Sequence, residues 1–184
     1  MIVLAGASAS GKTEVAKELA KKYGITKVIT TTTRKMRNGE VNGRDYFFVT
    51  KEEFERMLQD GRFVEHTFYN DNLYGSTKDQ IAPNKCVVID PAGLRAYIAL
   101  NDPTIITFFL DTDEDVRYQR MLSRGDKEED AKNRIAHDRV AFKKENVADV
   151  DHHVDSQHFS IEGVTDYIYK KYKETLEQRQ KNKK

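Results

Sequence analysis

The chain has 184 residues, 38% of them hydrophobic and 33% charged, with nine Tyr and nine Phe, which fits one compact domain and argues against a disordered chain. Its formal net charge of +1 gives no support to nucleic-acid binding by bulk electrostatics, and no apolar stretch approaches the length of a membrane span. The single cysteine, Cys86, excludes an internal disulfide. From the N-terminus, residues 2–5 predict a short apolar strand that runs into a loop from Gly6 to Gly11. A helix follows over 12–23, with Val15, Ala16, Leu19 and Ala20 on one face. The β-branched run 27–31 predicts a second strand.

Residues 34–78 break this rhythm. Asn38-Gly39 and Asn42-Gly43 supply turns, 45–49 and 63–68 predict strands, and 51–59 predicts a short helix between them. This segment is an inserted lobe. The rhythm then resumes with a strand over 86–90, which buries Cys86 rather than exposing a reactive thiol. A helix near 93–100, a strand over 104–110 and a helix over 113–122 follow. A charge-alternating helix spans 127–144, a last strand 150–154 and a last helix 161–176. The basic tail after Glu177 has the composition of a fraying helix end. Strands alternating with helices imply an α/β fold, a parallel sheet with helices on both faces.

Gly6-Ala7-Ser8-Ala9-Ser10-Gly11-Lys12-Thr13 matches the phosphate-loop pattern G-x-x-x-x-G-K-[ST], with a strand before it and an amphipathic helix after it. The glycines let backbone N–H groups turn inward onto phosphate oxygens at a helix N-terminus. ATP-type phosphates are thereby expected at Gly6, Ser8, Ala9, Ser10, Gly11, Lys12 and Thr13. Lys12 would neutralise β- and γ-phosphate charge, and the Thr13 hydroxyl would face Mg²⁺. The loop does not identify the acceptor.

The inserted lobe does. From Thr32 to Val49 the chain carries T-T-R-x-x-R-x-G-E-x-x-G-x-D-Y-x-F-V in full, followed by Phe63-Val64-Glu65 and Tyr74-Gly75-Ser76. In these elements the sequence resembles the guanylate kinase family. The resemblance implies a phosphate-loop NTPase-type core over 1–33, 79–123 and 147–180, a GMP-binding lobe over 34–78 and a helical lid over 124–146. It implies that Arg34, Arg37, Tyr46 and Tyr74 grip the GMP phosphate, and arginine forks suit that bidentate contact. Thr30 stands where the family often has serine. Glu65 and Ser76 match the guanine-reading positions, with Tyr74-Gly75-Ser76 expected as a turn. A carboxylate can accept from guanine N1–H and its 2-amino group while a hydroxyl donates to O6; adenine mismatches both. Asp90 matches an aspartate that serves the acceptor pocket or magnesium-bound water, but Val88 replaces the second acid common two positions earlier.

Arg120-Met121-Leu122-Ser123-Arg124-Gly125 resembles the segment that opens the family's lid, and Arg134 matches the arginine of the lid helix. The segment between Arg124 and Arg134 is one residue shorter than usual. Lys12, Arg34, Arg120, Arg124 and Arg134 are therefore the expected catalytic charges, with ATP and Mg²⁺ as donor and cofactor. Phosphoryl transfer needs in-line placement and charge neutralisation more than covalent help, and a phosphate oxygen needs no general base. Lys132, Lys143 and Lys144 suit a solvated helix face, with Glu128 pairing Lys132. His137, His152, His153 and His158 have no metal-site spacing. Val154-Asp155-Ser156 falls where the family's adenine-contacting loop lies, without its usual asparagine.

The expectation is a cytoplasmic GMP kinase, monomer or homodimer, acting on small molecules without nucleic acid or membrane. Two alternatives remain open at this stage. One is a kinase of another nucleotide or a phosphorylated sugar; the other is a non-catalytic module that binds phosphorylated peptides.

Overall fold

The computed structural model describes residues 1–143 and 145–182, so the predicted helix end at Lys144 lies outside them. The main sheet is built around β1 (Ile2–Ala5), a strand without a polar side chain whose four residues are all fully buried. With β2 (Thr26–Lys27), β7 (Lys85–Val88), β8 (Ile106–Asp111) and β9 (His152–Asp155) it forms the order β2-β7-β1-β8-β9, every neighbouring pair parallel. Buried on both faces, such strands become continuous apolar runs. Alternation along β1 sends Ile2 and Leu4 to one face and Val3 and Ala5 to the other. The first face is covered by α1 (Lys12–Tyr23) and α6 (Ile161–Lys181) through Val15, Leu19, Ile168 and Tyr172. The second is covered by α3 (Pro91–Ala99) through Leu94 and Tyr97.

Residues 34–78, together with Thr31–Thr32 just before them, make a second sheet, in the order β4-β3-β6-β5. Its strands are β3 (Thr31–Thr32), β4 (Phe47–Phe48), β5 (Phe63–Tyr69) and β6 (Asn72–Thr77), with helix α2 (Lys51–Gln59) before β5. The predicted strand 27–31 is thus two strands in two sheets. Gln80 explains the break: its amide accepts from Ile29 N at 2.8 Å and donates to Ile29 O at 2.7 Å, so the backbone leaves the first sheet with its polar groups satisfied. The predicted strand 45–49 shortens to two residues because side chains serve the loop before it. Asp45 accepts from Val41 N, and Asn42 accepts from Phe48 N. Tyr74, Gly75 and Ser76 do not form a turn. They lie inside β6, and the hairpin turns at Asn70 and Asp71, both at positive φ (45° and 60°) as a tight two-residue turn requires.

A helix pair, α4 (Glu114–Ser123) and α5 (Glu128–Ala141), stands over the phosphate loop, joined by a third cluster of Met121, Ala131 and Ile135 that also packs on Ala9. Glu128 and Lys132 pair on its outer face at 2.6 Å. Helix α6 continues past the predicted end at 176 to Lys181, so the tail does not fray where composition suggested. Arg179 anchors it by donating to Ile105 O at 2.9 Å and by an ion pair with Asp151. Among the described residues, no helix is long and apolar enough to cross a membrane.

Candidate active site

The phosphate loop leaves the C-terminal end of the central strand and enters α1 through Gly11, whose φ of 97° is left-handed. Gly6 also requires the missing side chain: at φ 145° a Cβ would stand 2.8 Å from Leu110 O and 2.9 Å from Ser10 Oγ. Ser10 is fully buried beneath the loop. Lys12 folds back over the loop, donating to Gly6 O at 2.6 Å and Ala7 O at 2.8 Å. Burial lowers its pKa to about 8, partly countered by Asp138. Lys12 is therefore still mostly cationic at neutral pH, and its charge is poorly solvated. Thr13 stands exposed in the first turn of α1.

A cleft of about 810 Å³ opens from this loop toward the second sheet. Its walls include Gly6, Ser8 and Lys12 on one side, Thr30, Tyr46, Glu65 and Tyr74 on the other, and Asp90 with Gly93 between them. Asp90 caps α3, accepting from Gly93 N at 2.8 Å, so helix propensity and the following Pro91 fix its place at the end of β7. Glu65 and Ser76 face each other across the β5–β6 ladder. Glu65 Oε1 accepts from Ser76 Oγ at 2.5 Å and from Ser76 N at 3.1 Å. Gly75, between Tyr74 and Ser76 in β6, has no room for a Cβ, which would meet the Phe63 ring at 2.7 Å.

Sequence reasoning missed Tyr97. Its hydroxyl, buried in α3, donates to Ser76 Oγ at 3.1 Å, and burial raises its pKa to about 12. A tyrosine on an apolar helix face resembles any core aromatic, so the sequence held no signal for this contact. The same applies to Asp138, which sits in α5 and reaches the phosphate loop.

The arginines are arranged differently. Arg34 makes a two-bond fork with Glu40 at 2.7 and 3.1 Å and lies over the Tyr46 ring at 5.1 Å from its centroid. The Glu40 hydrogen bond raises the Arg34 pKa, and Arg34 in turn lowers that of Glu40. Arg37 is exposed, and its backbone N–H donates to the same carboxylate at 2.7 Å. Arg120 tucks under the loop, donating to Ala9 O at 3.3 Å and Ser156 O at 2.7 Å. Arg124 is held by Asp126 at 2.6 Å, with Arg134 3.9 Å from the same carboxylate. The cleft thus gathers Gly6, Ser8, Lys12, Thr30, Tyr46, Glu65, Tyr74 and Asp90, with Ser76 directly behind Glu65. Arg34, Arg37, Arg120, Arg124 and Arg134 stand outside its walls, most of them resting on protein acceptors. Of the histidines, His66 from β5 and His137 from α5 line the cleft, while His153 and His158 pair with Asp111 and Asp155.

A phosphate loop on the central strand of a parallel sheet, a second sheet with polar side chains across one cleft and a helix pair above it define a phosphate-loop nucleotide kinase. The guanylate kinase family model matches residues 1–179, and the chain belongs to that family. It is 33% identical to the guanylate kinase of Lactobacillus delbrueckii subsp. bulgaricus over 197 aligned positions, covering 95% of this chain and 97% of that one. The Sus scrofa guanylate kinase is 34% identical over 140 positions, 71% of this chain and 70% of its own. Among solved structures, the guanylate kinase from Anaplasma phagocytophilum shares the fold with a TM-score of 0.62 at 23% identity, covering 96% of this chain and 85% of that chain.

Proposed function

We propose that the protein transfers the γ-phosphate of ATP to GMP or dGMP, and that Glu65 and Ser76 read the guanine. The observation that carries this reading is the Glu65–Ser76 pair set across the cleft from Lys12 and Ser8. The carboxylate would exchange its bond with Ser76 for guanine N1–H and the 2-amino group, which frees the Ser76 hydroxyl for O6. Adenine, lacking an N1 proton, would leave the carboxylate unmatched, at about 1–3 kcal/mol for each unmet polar group. Thr30, Tyr46 and Tyr74 would donate to the acceptor phosphate, with Arg34 swinging from Glu40 onto it and the exposed Arg37 side chain joining it. Arg120, Arg124 and Arg134 would turn from their present acceptors toward the migrating phosphoryl group as the lid closes.

The donors near the loop fit Mg²⁺, because Thr13 offers a hydroxyl and Asp90 a carboxylate, oxygen ligands of the kind a hard cation takes alongside phosphate. Bound there, Mg²⁺ would supply positive charge against the phosphate oxygens, and Thr13 and Asp90 are the residues that would hold it. The same reading makes the protein a cytoplasmic enzyme, monomer or homodimer, whose partners are GMP and ATP. The division into core, GMP lobe (34–78) and lid (124–146) belongs to this reading as well.

The test is a coupled assay of ADP formation with ATP and Mg²⁺ on GMP, dGMP, AMP, UMP and CMP in parallel. Turnover confined to the guanine nucleotides is expected. Turnover on another acceptor would overturn the pocket, and silence on all five from protein that binds ATP would overturn the activity.

A further inference from the structure

The phosphate loop is not held by its own residues alone. Asp138, on the buried side of α5, is 5% exposed, and both of its carboxylate oxygens are used. Oδ1 accepts from Ser8 Oγ at 3.2 Å. Oδ2 accepts from Ser8 N at 2.8 Å and from Arg117 Nη1, also at 2.8 Å. Arg117 belongs to α4, is 6% exposed, and makes two further contacts: Nη1 lies 3.4 Å from Ser8 O, and Nε lies 3.3 Å from Thr112 O. An anionic oxygen thus sits where a phosphate-loop amide and a buried guanidinium converge, close enough to Lys12 to offset part of the lowering that burial imposes on its pKa. This is the environment that a phosphate oxygen seeks: a backbone N–H at a glycine-rich loop and an arginine fork.

We propose that Arg117 is a further phosphate-contacting residue for the donor nucleotide, and that Asp138 is a lid-borne stand-in which occupies its place until a nucleoside triphosphate displaces it. The inference rests on the phosphate loop being the donor site. A buried Arg–carboxylate pair is a poor stability device, since desolvation offsets most of its Coulomb gain, but it keeps a cation ready in a dry site. The triphosphate replaces one anion with another, so Arg117 needs no new desolvation. Asp138 leaves with α5, whose apolar hold on the molecule is the small cluster of Ala131 and Ile135 against Met121 and Ala9. Nucleotide binding and lid position are then coupled through one carboxylate, because ligand and Asp138 compete for the Ser8 amide.

The test is calorimetric titration of the full chain with a non-hydrolysable ATP analogue and Mg²⁺, on the wild type and on Asp138→Ala, Arg117→Leu/Asp138→Ala and Lys12→Met. Asp138→Ala is expected to bind about tenfold tighter, the gain from removing a competitor that leaves the site open about a tenth of the time. The double variant, which removes both charges and leaves no buried ion unpaired, is expected to lose that gain and bind more weakly than the wild type. A merely structural pair would move both variants the same way. Unchanged or weaker binding in Asp138→Ala would overturn the inference, as would a double variant that binds as tightly as the single. Should Asp138→Ala fail to fold, Asp138→Asn keeps the volume and one acceptor; severalfold tighter binding is expected, and no gain overturns the proposal. Lys12→Met separates the two levels, since binding that survives it would overturn the donor site itself.

Discussion

The two sides of the cleft, the phosphate loop proposed as donor site and the wall across from it proposed as acceptor site, are built on opposite plans. The phosphate loop is eight consecutive residues that run from a fully buried strand into a helix, with Gly6 placed where a Cβ would strike Leu110 and Ser10 and Gly11 at a left-handed φ. The acceptor side is assembled from β3, β5, β6 and α3, and its key contacts are long-range: Glu65 to Ser76, Ser76 to Tyr97. The donor side holds its cation in place, whereas on the acceptor side Arg34 is held by Glu40, within the lobe itself.

The largest effect is expected on the rigid side. Lys12→Met should lower kcat/KM by about a thousandfold, the loss of a preorganised charge in a water-poor site, with thermal stability nearly unchanged. Its pKa of about 8 also predicts an alkaline limb, in which kcat/KM for ATP falls as pH rises through about 8 and the ammonium deprotonates. The sign for stability is opposite. The folded pKa lies below the ordinary 10.5, so burying the charged lysine costs stability below pH 8, and that cost is relieved as pH rises from 8 toward 10.5. A pH–rate profile beside urea melts at each pH checks both directions.

On the acceptor side, Glu65→Gln should lower kcat/KM for GMP by about a hundredfold while leaving ATP affinity unchanged, because a carboxamide cannot accept both guanine donors. An equal loss of ATP binding would break the separation between the two sides. Tyr97→Phe should act more gently, at about tenfold on GMP, since Ser76 Oγ loses its donor and the serine hydroxyl is no longer oriented. The loss should appear for GMP and not for ATP binding; a purely structural role for Tyr97 would lower both alike. The smallest effect belongs to Thr50→Ala, which removes the reciprocal capping box with Glu53 at the start of α2. It should cost about 1 kcal/mol of stability, a Tm shift of a few degrees, and leave turnover unaltered.

The contrast between the two sides also governs what the sequence could reveal. The loop is contiguous, so its eight letters state its conformation, and the apolar runs of β1, β7 and β8 place it. The acceptor lobe was legible as a pattern of residues but not as a geometry. Tyr74-Gly75-Ser76, expected as a turn from the family resemblance, lies in a strand because it pairs with β3 and β5. The break at Ile29 depends on Gln80, fifty-one positions away, and no local period signals it. Tyr97 and the Arg117–Asp138 pair were hidden for the same reason: each is an ordinary helical residue until tertiary packing sets it beside the site.

The most direct test of the account is a crystal structure with GMP and a non-hydrolysable ATP analogue bound together. The account predicts Glu65 hydrogen-bonded to guanine N1 and the 2-amino group, Ser76 turned onto O6, and Arg34 moved from Glu40 to the acceptor phosphate. A guanine seated away from Glu65, or an Arg34 still paired with Glu40 while GMP is bound, would contradict it.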